Sequence, residues 1–230
     1  DLTPTTRVWR GRQAASDLPV AIEPIGGIRF THEGVERSID DVLADTFTDG
    51  FIVLHRGRII SETYMNGMQR QTTHLSQSVA KSVTGAVAGI LIHQGLIDPE
   101  APVTQYLPEL EKTAYKGAKA QHVLDMTSGV LFDETYTAPD SHMAKVDAAC
   151  GWKEPKDPSW PENMWQFILT LTEPECAHGE SFRYRSIETD ILAHVMQRVT
   201  GMVLADLVSE HLWIPLGAEE DGYFTVDRGG

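Results

Sequence analysis

The sequence is poor in the residue types and patterns that several classes of function require. Only two of its 230 residues are cysteines, Cys150 and Cys176, and no C-x-x-C pair occurs. This argues against the disulfide framework of small secreted domains and against a cysteine-bound zinc site. The nine histidines include no H-E-x-x-H or comparable ligand spacing. We therefore expect no metal site and no cofactor.

Positive charge is also scarce. The chain has 19 lysines and arginines against 33 aspartates and glutamates, which gives a formal net charge of −14. Binding to phosphate backbones needs clustered cations, so we expect no nucleic-acid partner. No uninterrupted apolar run is long enough to span a bilayer, and no membrane partner is expected. No signal-peptide pattern stands at Asp1. The compartment stays open, with the cytoplasm favoured over the periplasm.

The hydrophobic content of 41% is that of a globular protein with a substantial core. Residues 1–35 carry no clear element, and Ser38 to Phe47 reads as a short helix capped by Ser38. Two β-branched and aromatic runs, Gly50 to His55 and Ile59 to Met65, flank a short glycine-containing turn and predict a hairpin. The first run is continuously apolar, which predicts a strand covered on both faces. Residues 132–162 read as long loops.

Ser78 and Lys81 stand at the start of a helix predicted from about Ser78 to Gln94. Residues spaced i,i+3 share a helix face, so this hydroxyl and this amine can meet. The positive end of the helix dipole favours negative charge that develops near Ser78. This is the S-x-x-K pattern, in which the serine is a nucleophile and the lysine helps to remove its proton. The pattern also occurs by chance at ordinary helix starts, and its meaning depends on context.

Small residues follow along the same helix: Gly85, Ala86, Ala88 and Gly89. They predict close packing against neighbouring elements and a buried helix. Gly179-Glu180-Ser181 does not match G-x-S-x-G, so no nucleophile elbow of the α/β-hydrolase kind is visible. No glycine-rich phosphate loop occurs either.

Further segments resemble those of the serine β-lactamase and D,D-peptidase superfamily. They are Leu96-Ile97-Asp98-Pro99, Val103 to Leu110, Val123 to Gly129 and Phe182-Arg183-Tyr184-Arg185-Ser186. Together with Ser78-Val79-Ala80-Lys81 they are most similar to the class C-like branch that contains the 6-aminohexanoate-dimer (nylon-oligomer) hydrolases and related carboxylesterases. The resemblance runs from about Phe47 to Asp227.

The resemblance implies an α+β fold in which an α/β sandwich with an antiparallel sheet joins a mostly helical domain. We place residues 1–97, with the Ser78 helix, in the first part and residues 98–230 in the second. The family's third motif, a Lys/His-Thr/Ser/x-Gly strand that completes the oxyanion hole, has no match. We therefore expect that the C-terminal part of the fold is lacking and that a second chain supplies it. A homodimer is an alternative.

The family's second catalytic motif, Tyr-x-Asn or Tyr-x-Ser, matches Tyr184-Arg185-Ser186. By this resemblance Ser78, Lys81 and Tyr184 are catalytic. A phenol with a pKa of about 10 becomes a useful base only when a nearby cation, here Lys81, favours the phenolate. Outside that context Tyr184 reads as a residue that packs at a helix start.

The resemblance adds three substrate-binding candidates. Ser186 completes the Tyr-x-Ser motif, and Tyr136 matches a tyrosine that closes over substrate in the nylon-oligomer hydrolases. Asp147 falls where those hydrolases can carry an acid that faces the substrate's amino end, and a carboxylate there favours a cationic amine. A solvated loop charge is an equally good reading of Asp147.

The function that these residues predict is a serine hydrolase that cleaves a small linear amide or ester through an acyl-enzyme. The rival enzyme functions, β-lactamase and D,D-peptidase, use the same residues. The rival from another class is a non-catalytic penicillin-recognising domain or an inactive fragment. Only substrate assays separate the rival enzyme functions, and slow or absent acylation of Ser78 in a folded chain would favour the non-catalytic alternative.

Overall fold

A computed structural model describes residues 4–227 and residue 229. The chain divides into two compact units, one of residues 15–75 and one that joins the segment up to Ala14 to the residues from Ser76 onward. The second unit therefore holds the Ser78 helix together with the later helices. The division after residue 97, drawn from the family's architecture, stays a prediction.

The smaller unit contains two antiparallel hairpins and one helix: β2 (Arg29–His32), β3 (Val35–Ser38), α1 (Ile39–Asp45), β4 (Gly50–His55) and β5 (Arg58–Tyr64). Helix α1 begins directly after β3 because Ser38 and Asp41 form a capping box. The Ser38 hydroxyl accepts the Asp41 N–H at 3.1 Å, and the Asp41 carboxylate accepts the Ser38 N–H at 2.8 Å. The predicted capped helix and the predicted hairpin are confirmed.

Strand β4 is not the doubly covered strand that its apolar sequence predicts. Among the described residues it pairs only with β5, with a register shift between Val53 and Leu54. Ile52 and Leu54 are half exposed. The prediction was wrong because an apolar sequence shows only which side chains a strand could bury. This two-stranded ribbon is not covered on both faces.

The larger unit is mostly helical. Its elements are β1 (Thr5–Val8), α2 (Val79–His93), α3 (Val103–Tyr106), a 3₁₀ turn (Pro108–Lys112), α4 (Ala120–Leu124), α5 (His142–Ala149), α6 (Met164–Ile168), α7 (Ile187–Thr200), α8 (Leu204–Val208), a π-helical turn (Ser209–Trp213), α9 (Ile214–Leu216) and β6 (Gly222–Thr225). Strand β1 pairs antiparallel with β6, Thr5 opposite Thr225. No element was expected in residues 1–35, and this was wrong for β1 and β2. The partner of β1 is more than 200 residues away and leaves no local signal, whereas β2 pairs with the adjacent β3 and its short hairpin was missed.

Helix α7 lies at the centre of the core and packs against α2, α4, α3, α6 and α8. Its Ile191 and Val195 are buried, as are Val87 and Leu91 of α2. Gly201, in the left-handed conformation, ends α7. Because α2 packs against α7, the start of α2 and the segment before α7 are held in fixed positions relative to each other.

Two further expectations need correction. Helix α2 buries one face only, and a Cβ added at Gly85 or Gly89 would meet nothing within 4 Å. These glycines therefore mark an open face, not a close approach. The stretch 132–162 is also not all loop, since α5 lies within it. The Ser141 hydroxyl caps α5 by accepting the Ala144 N–H at 3.1 Å, a local signal that the surrounding prolines and aspartates obscured.

In the part of the chain that the structure describes, no single helix is long and apolar enough to cross a membrane. One bent pair, Ile187–Thr200 with Leu204–Leu216, passes a test of length and composition alone.

Candidate active site

Ser78 is presented by a strained turn at the start of α2. The preceding residue, Gln77, has a φ of 47°, which is uncommon for a residue with a side chain. Ser78 occupies the N-cap position, yet its side chain accepts no hydrogen bond from the helix backbone. A serine at this position usually caps the helix. Here the hydroxyl is left available for other partners.

Two of those partners converge on the Ser78 oxygen. The Lys81 ammonium lies 3.1 Å from Ser78 Oγ, and the Tyr184 hydroxyl lies 2.8 Å from the same atom. Lys81 Nζ is also 5.3 Å from the centre of the Tyr184 ring. The structure thus brings together the three residues that were predicted as catalytic. A nucleophile within hydrogen-bond reach of a phenol whose anion can take its proton, beside a cation that favours that anion, is the arrangement that covalent catalysis needs.

The surroundings of Tyr184 shift its titration towards use as a base. Burial of the phenol raises its pKa, but hydrogen bonds with Ser78 and Lys81 and the Lys81 charge lower it by more, so the pKa lies below its usual value. Asp190 on α7 also interacts with Lys81. Burial raises the pKa of Asp190 to about 7, and the Lys81 charge opposes that rise. The Lys81 charge therefore acts to lower the pKa of both Tyr184 and Asp190.

Arg185 fixes the backbone between Tyr184 and Ser186. Its side chain is fully buried and donates to Glu175 at 2.8 Å and to the carbonyl oxygens of Met126 and Arg183 at 3.3 Å. Tyr184, by contrast, is 42% exposed. The buried Arg185 guanidinium fixes the backbone on both sides of Arg185, so that Tyr184 is held at the surface against Ser78.

The three predicted substrate-binding residues differ in their placement. Ser186 and Tyr136 both hydrogen-bond to Glu134, and the Ser186 hydroxyl also interacts with Tyr184. Asp147 lies on α5, and its largely buried carboxylate forms an ion pair with Lys153 at 2.6 Å. Among the described residues, no hydrogen bond or ion pair joins Asp147 to Ser78, Lys81 or Tyr184. The structure therefore gathers Ser186 and Tyr136 near the cluster, while Asp147 already has a cationic partner.

Comparison with known proteins identifies the family of the chain. Residues 35–229 match the Beta-lactamase family. The chain belongs to the beta-lactamase family. It is 38% identical over 230 residues to the 6-aminohexanoate-dimer hydrolase of Paenarthrobacter ureafaciens, and 25% identical over 197 residues to esterase EstB of Burkholderia gladioli. The chain spans 56% of the first relative and 49% of the second.

Solved structures show the same fold. A Bacillus anthracis protein provisionally assigned as a 6-aminohexanoate-dimer hydrolase superposes with a TM-score of 0.89 at 27% identity, over 99% of this chain and 60% of that one. A beta-lactamase-like protein of Bacteroides dorei gives a TM-score of 0.60 at 20% identity, over 78% of this chain and 49% of that one. The α+β, beta-lactamase-like fold class is thereby confirmed.

Several residues around the Ser78, Lys81 and Tyr184 cluster escaped prediction from the sequence. Glu134, Arg185 and Asp190 each act through contacts with distant residues, and each reads locally as an ordinary polar residue. Glu134 stands two residues before Tyr136, which was the only local clue. In the described part of the chain, no group of three or more His, Cys, Asp or Glu side chains is placed to hold a metal ion.

Gly129 supports the segment that anchors Arg185, and we expect its replacement by alanine to destabilise the protein. Gly129 has a φ of 71°, and a Cβ there would lie 2.4 Å from the Cys176 carbonyl oxygen. The Gly129 carbonyl accepts the Glu175 N–H at 2.7 Å, so the backbone segments around Gly129 and Cys176 cannot move apart freely. We expect Gly129→Ala to lower the free energy of unfolding by about 2–3 kcal/mol, the sum of left-handed strain and a backbone clash.

Gly151→Ala is the matched control for this prediction. Gly151 has a φ of 75°, and an added Cβ would meet nothing within 4 Å. Its replacement measures the left-handed strain alone, at about 1 kcal/mol. Urea unfolding of both variants separates the two effects. Equal losses for both variants would contradict the clash at Gly129.

Proposed function

We propose that this protein is a serine hydrolase that cleaves a small linear amide or ester, with Ser78 as the nucleophile. The observation that carries the proposal is the convergence of the Lys81 ammonium and the Tyr184 hydroxyl on Ser78 Oγ, at 3.1 Å and 2.8 Å. A serine that merely began a helix would use its oxygen to cap the backbone, and Ser78 does not.

In the proposed reaction Tyr184 is in its phenolate form, which the Lys81 ammonium favours, so that the pair lacks one proton. Ser78 Oγ attacks the substrate's carbonyl carbon, and its proton passes to the Tyr184 phenolate of this pair. The tetrahedral intermediate collapses when the bond from carbon to the leaving nitrogen or oxygen breaks. The leaving group takes the proton from the same pair, and Ser78 is left as an ester. Water then attacks that ester, gives its proton to the pair and releases the acid. Ser78 and its partners return to their starting state.

The substrate class rests on the relatives. The P. ureafaciens relative is a 6-aminohexanoate-dimer hydrolase by name, and the B. gladioli relative is an esterase. A linear ω-amino amide or a simple ester is therefore proposed for this chain, ahead of a β-lactam or a D,D-peptide. An amine that bound at Asp147 would have to displace Lys153 from the carboxylate.

We further propose that full activity needs more of the fold than these residues provide. The chain covers 56% of the P. ureafaciens relative and 60% of the B. anthracis structure. No match to the oxyanion-hole strand motif occurs in the sequence, and one missing oxyanion donor typically costs about 100- to 1000-fold in rate. A second chain that carries the rest of the fold, or a second copy of this chain, is the proposed partner.

Labelling with a fluorophosphonate probe tests the proposal, because the probe phosphonylates an activated serine and releases fluoride. We expect intact mass spectrometry to show one adduct, which peptide mapping places on Ser78. Ser78→Ala removes it, and the matched variant Ser82→Ala, one turn along α2, keeps it. An ω-amino amide, a nitrophenyl ester and a cephalosporin then separate the substrate classes. A folded chain without any adduct would overturn the proposal and favour the non-catalytic alternative.

A further inference from the structure

Glu134 lies beside the proposed catalytic cluster and accepts three hydrogen bonds there. Its carboxylate accepts the Ser186 hydroxyl at 2.5 Å and the Ser186 backbone N–H at 2.9 Å. The Tyr136 hydroxyl donates to the same carboxylate at 2.7 Å. A single side chain therefore connects the loop that carries Tyr136 to the residue that begins α7.

The three donors call for an ionised carboxylate in particular. A carboxylate accepts at both oxygens, whereas the amide of glutamine accepts at one atom and donates at the other. Hydrogen bonds to a charged acceptor are also roughly twice as strong as neutral ones. The positive end of the α7 dipole, next to Ser186, further favours a negative charge at this place.

The contact extends to Tyr184 through Ser186. The Ser186 hydroxyl interacts with the phenols of both Tyr136 and Tyr184. Ser186 gives its hydroxyl hydrogen to Glu134, and the two phenols give theirs to Glu134 and to Ser78, so Ser186 acts on the phenols as a nearby polar group and not through a further hydrogen bond. Tyr184 in turn donates to Ser78 at 2.8 Å. Glu134 therefore holds both the hydroxyl and the backbone N–H of Ser186, two residues after the tyrosine that donates to the proposed nucleophile.

We propose that Glu134 is a positioning residue for the reaction at Ser78. Its carboxylate fixes Ser186 and Tyr136, and through Ser186 it fixes the Tyr184 hydroxyl on Ser78. The role rests on the proposed function, because it concerns the same site. Glu134 itself hydrogen-bonds to neither Ser78 nor Lys81 in the described structure, so its effect passes through Ser186.

Replacement of Glu134 by glutamine tests the role. Tyrosines labelled with ¹³C at Cζ report the titration of Tyr136 and Tyr184, each assigned with its phenylalanine variant. In Glu134→Gln we expect the pKa of Tyr136, which the hydrogen bond with Glu134 raises above its ordinary value, to fall. We also expect faster hydrogen exchange of the Ser186 amide and about 10- to 100-fold slower labelling of Ser78. Glu154→Gln, in an exposed loop, is the matched control and leaves all three unchanged.

The outcomes separate the two proposals. An unchanged Tyr136 titration and Ser186 exchange in Glu134→Gln would overturn the positioning role while leaving Ser78 as nucleophile. A changed titration with an unchanged labelling rate would overturn it too, because the contact would then serve structure alone. A wild-type chain that the probe does not label would overturn the proposed function itself. If Glu134→Gln does not fold, Glu134→Asp takes its place. The shorter side chain keeps the charge but cannot reach all three donors, and the same measurements and outcomes apply to it.

Discussion

Replacement of Lys81 by methionine is expected to slow the labelling of Ser78 by the fluorophosphonate probe about a thousandfold. Methionine keeps the unbranched apolar stem but removes the ammonium that lies 3.1 Å from Ser78 Oγ. Positioned proton transfer contributes typically 10²- to 10⁴-fold to rate, and Lys81 acts on the serine and on its second partner together. The expected loss therefore lies in the middle of that range.

For the same variant, Lys81→Met, we make a second and independent prediction, which concerns the pKa of Tyr184. Its pKa lies below the ordinary value because contacts with Ser78 and Lys81 and the Lys81 charge outweigh the effect of burial. Without the ammonium both contributions of Lys81 are lost, and the pKa of Tyr184 is expected to rise. The phenol is then a poorer proton acceptor at neutral pH, which adds to the loss of rate. Labelled tyrosine carbons report this change without any need for enzymatic turnover.

Lys112→Met is the control, since Lys112 lies exposed at the end of the 3₁₀ turn. It removes one positive charge from the larger unit without touching the cluster. We expect labelling at the wild-type rate and an unchanged Tyr184 titration. Wild-type labelling in Lys81→Met would show that Ser78 reacts without its lysine, and the proposed proton transfer would be wrong.

The sequence predicted those parts of the site that depend on short-range geometry. Ser78 and Lys81 are three residues apart on one helix, so their contact follows from helical periodicity alone. Tyr184 is 106 residues further along, and only resemblance to a family connected it to Ser78. No rule of spacing brings such a pair together, because their distance is set by the packing of α2 against α7.

The residues that escaped prediction have roles that exist only in the folded chain. Arg185 reads as an exposed charge between two polar neighbours, yet it is buried because Glu175 and two carbonyl oxygens surround it. Glu134 reads as a loop acid, and its function depends on Ser186, 52 residues away. Local patterns also overstated burial, as the half-exposed Ile52 of β4 and the open Gly89 of α2 show. An apolar or small side chain permits packing but does not show that a neighbour is present.

Glu188 on α7 gives the second large prediction, which concerns stability and pH. Its side chain is buried and accepts a hydrogen bond from the Ser128 hydroxyl, while its other oxygen has no hydrogen-bond partner. Burial raises the pKa of Glu188 to about 8, although Ser128 and the Arg185 charge oppose the rise. The folded protein thus keeps a proton on Glu188 at pH values where the unfolded chain has lost it.

The sign of the effect follows from that difference in proton binding. Between the unfolded pKa near 4.5 and the folded pKa of about 8, the folded state binds more protons, so stability falls as pH rises. The fall approaches about 1.4 kcal/mol per pH unit, and ends above the folded pKa. The accumulated cost to the free energy of unfolding is about 5 kcal/mol at pH 9, above both pKa values.

Glu188→Gln should remove this cost, because glutamine resembles the protonated acid and still accepts the Ser128 hydrogen. Urea unfolding at intervals from pH 5 to pH 9 measures the difference between variant and wild type, in which all other titrations cancel. We expect the two to be equally stable near pH 5 and the variant to be more stable by several kcal/mol at pH 9. Glu173→Gln, at an exposed position, should show no such divergence. Parallel curves for wild type and Glu188→Gln would mean that Glu188 is ionised in the folded protein and that Arg185 stabilises its charge. Glu188 and Arg185 would then form a buried ion pair, and Arg185 would be held by Glu188 as well as by Glu175.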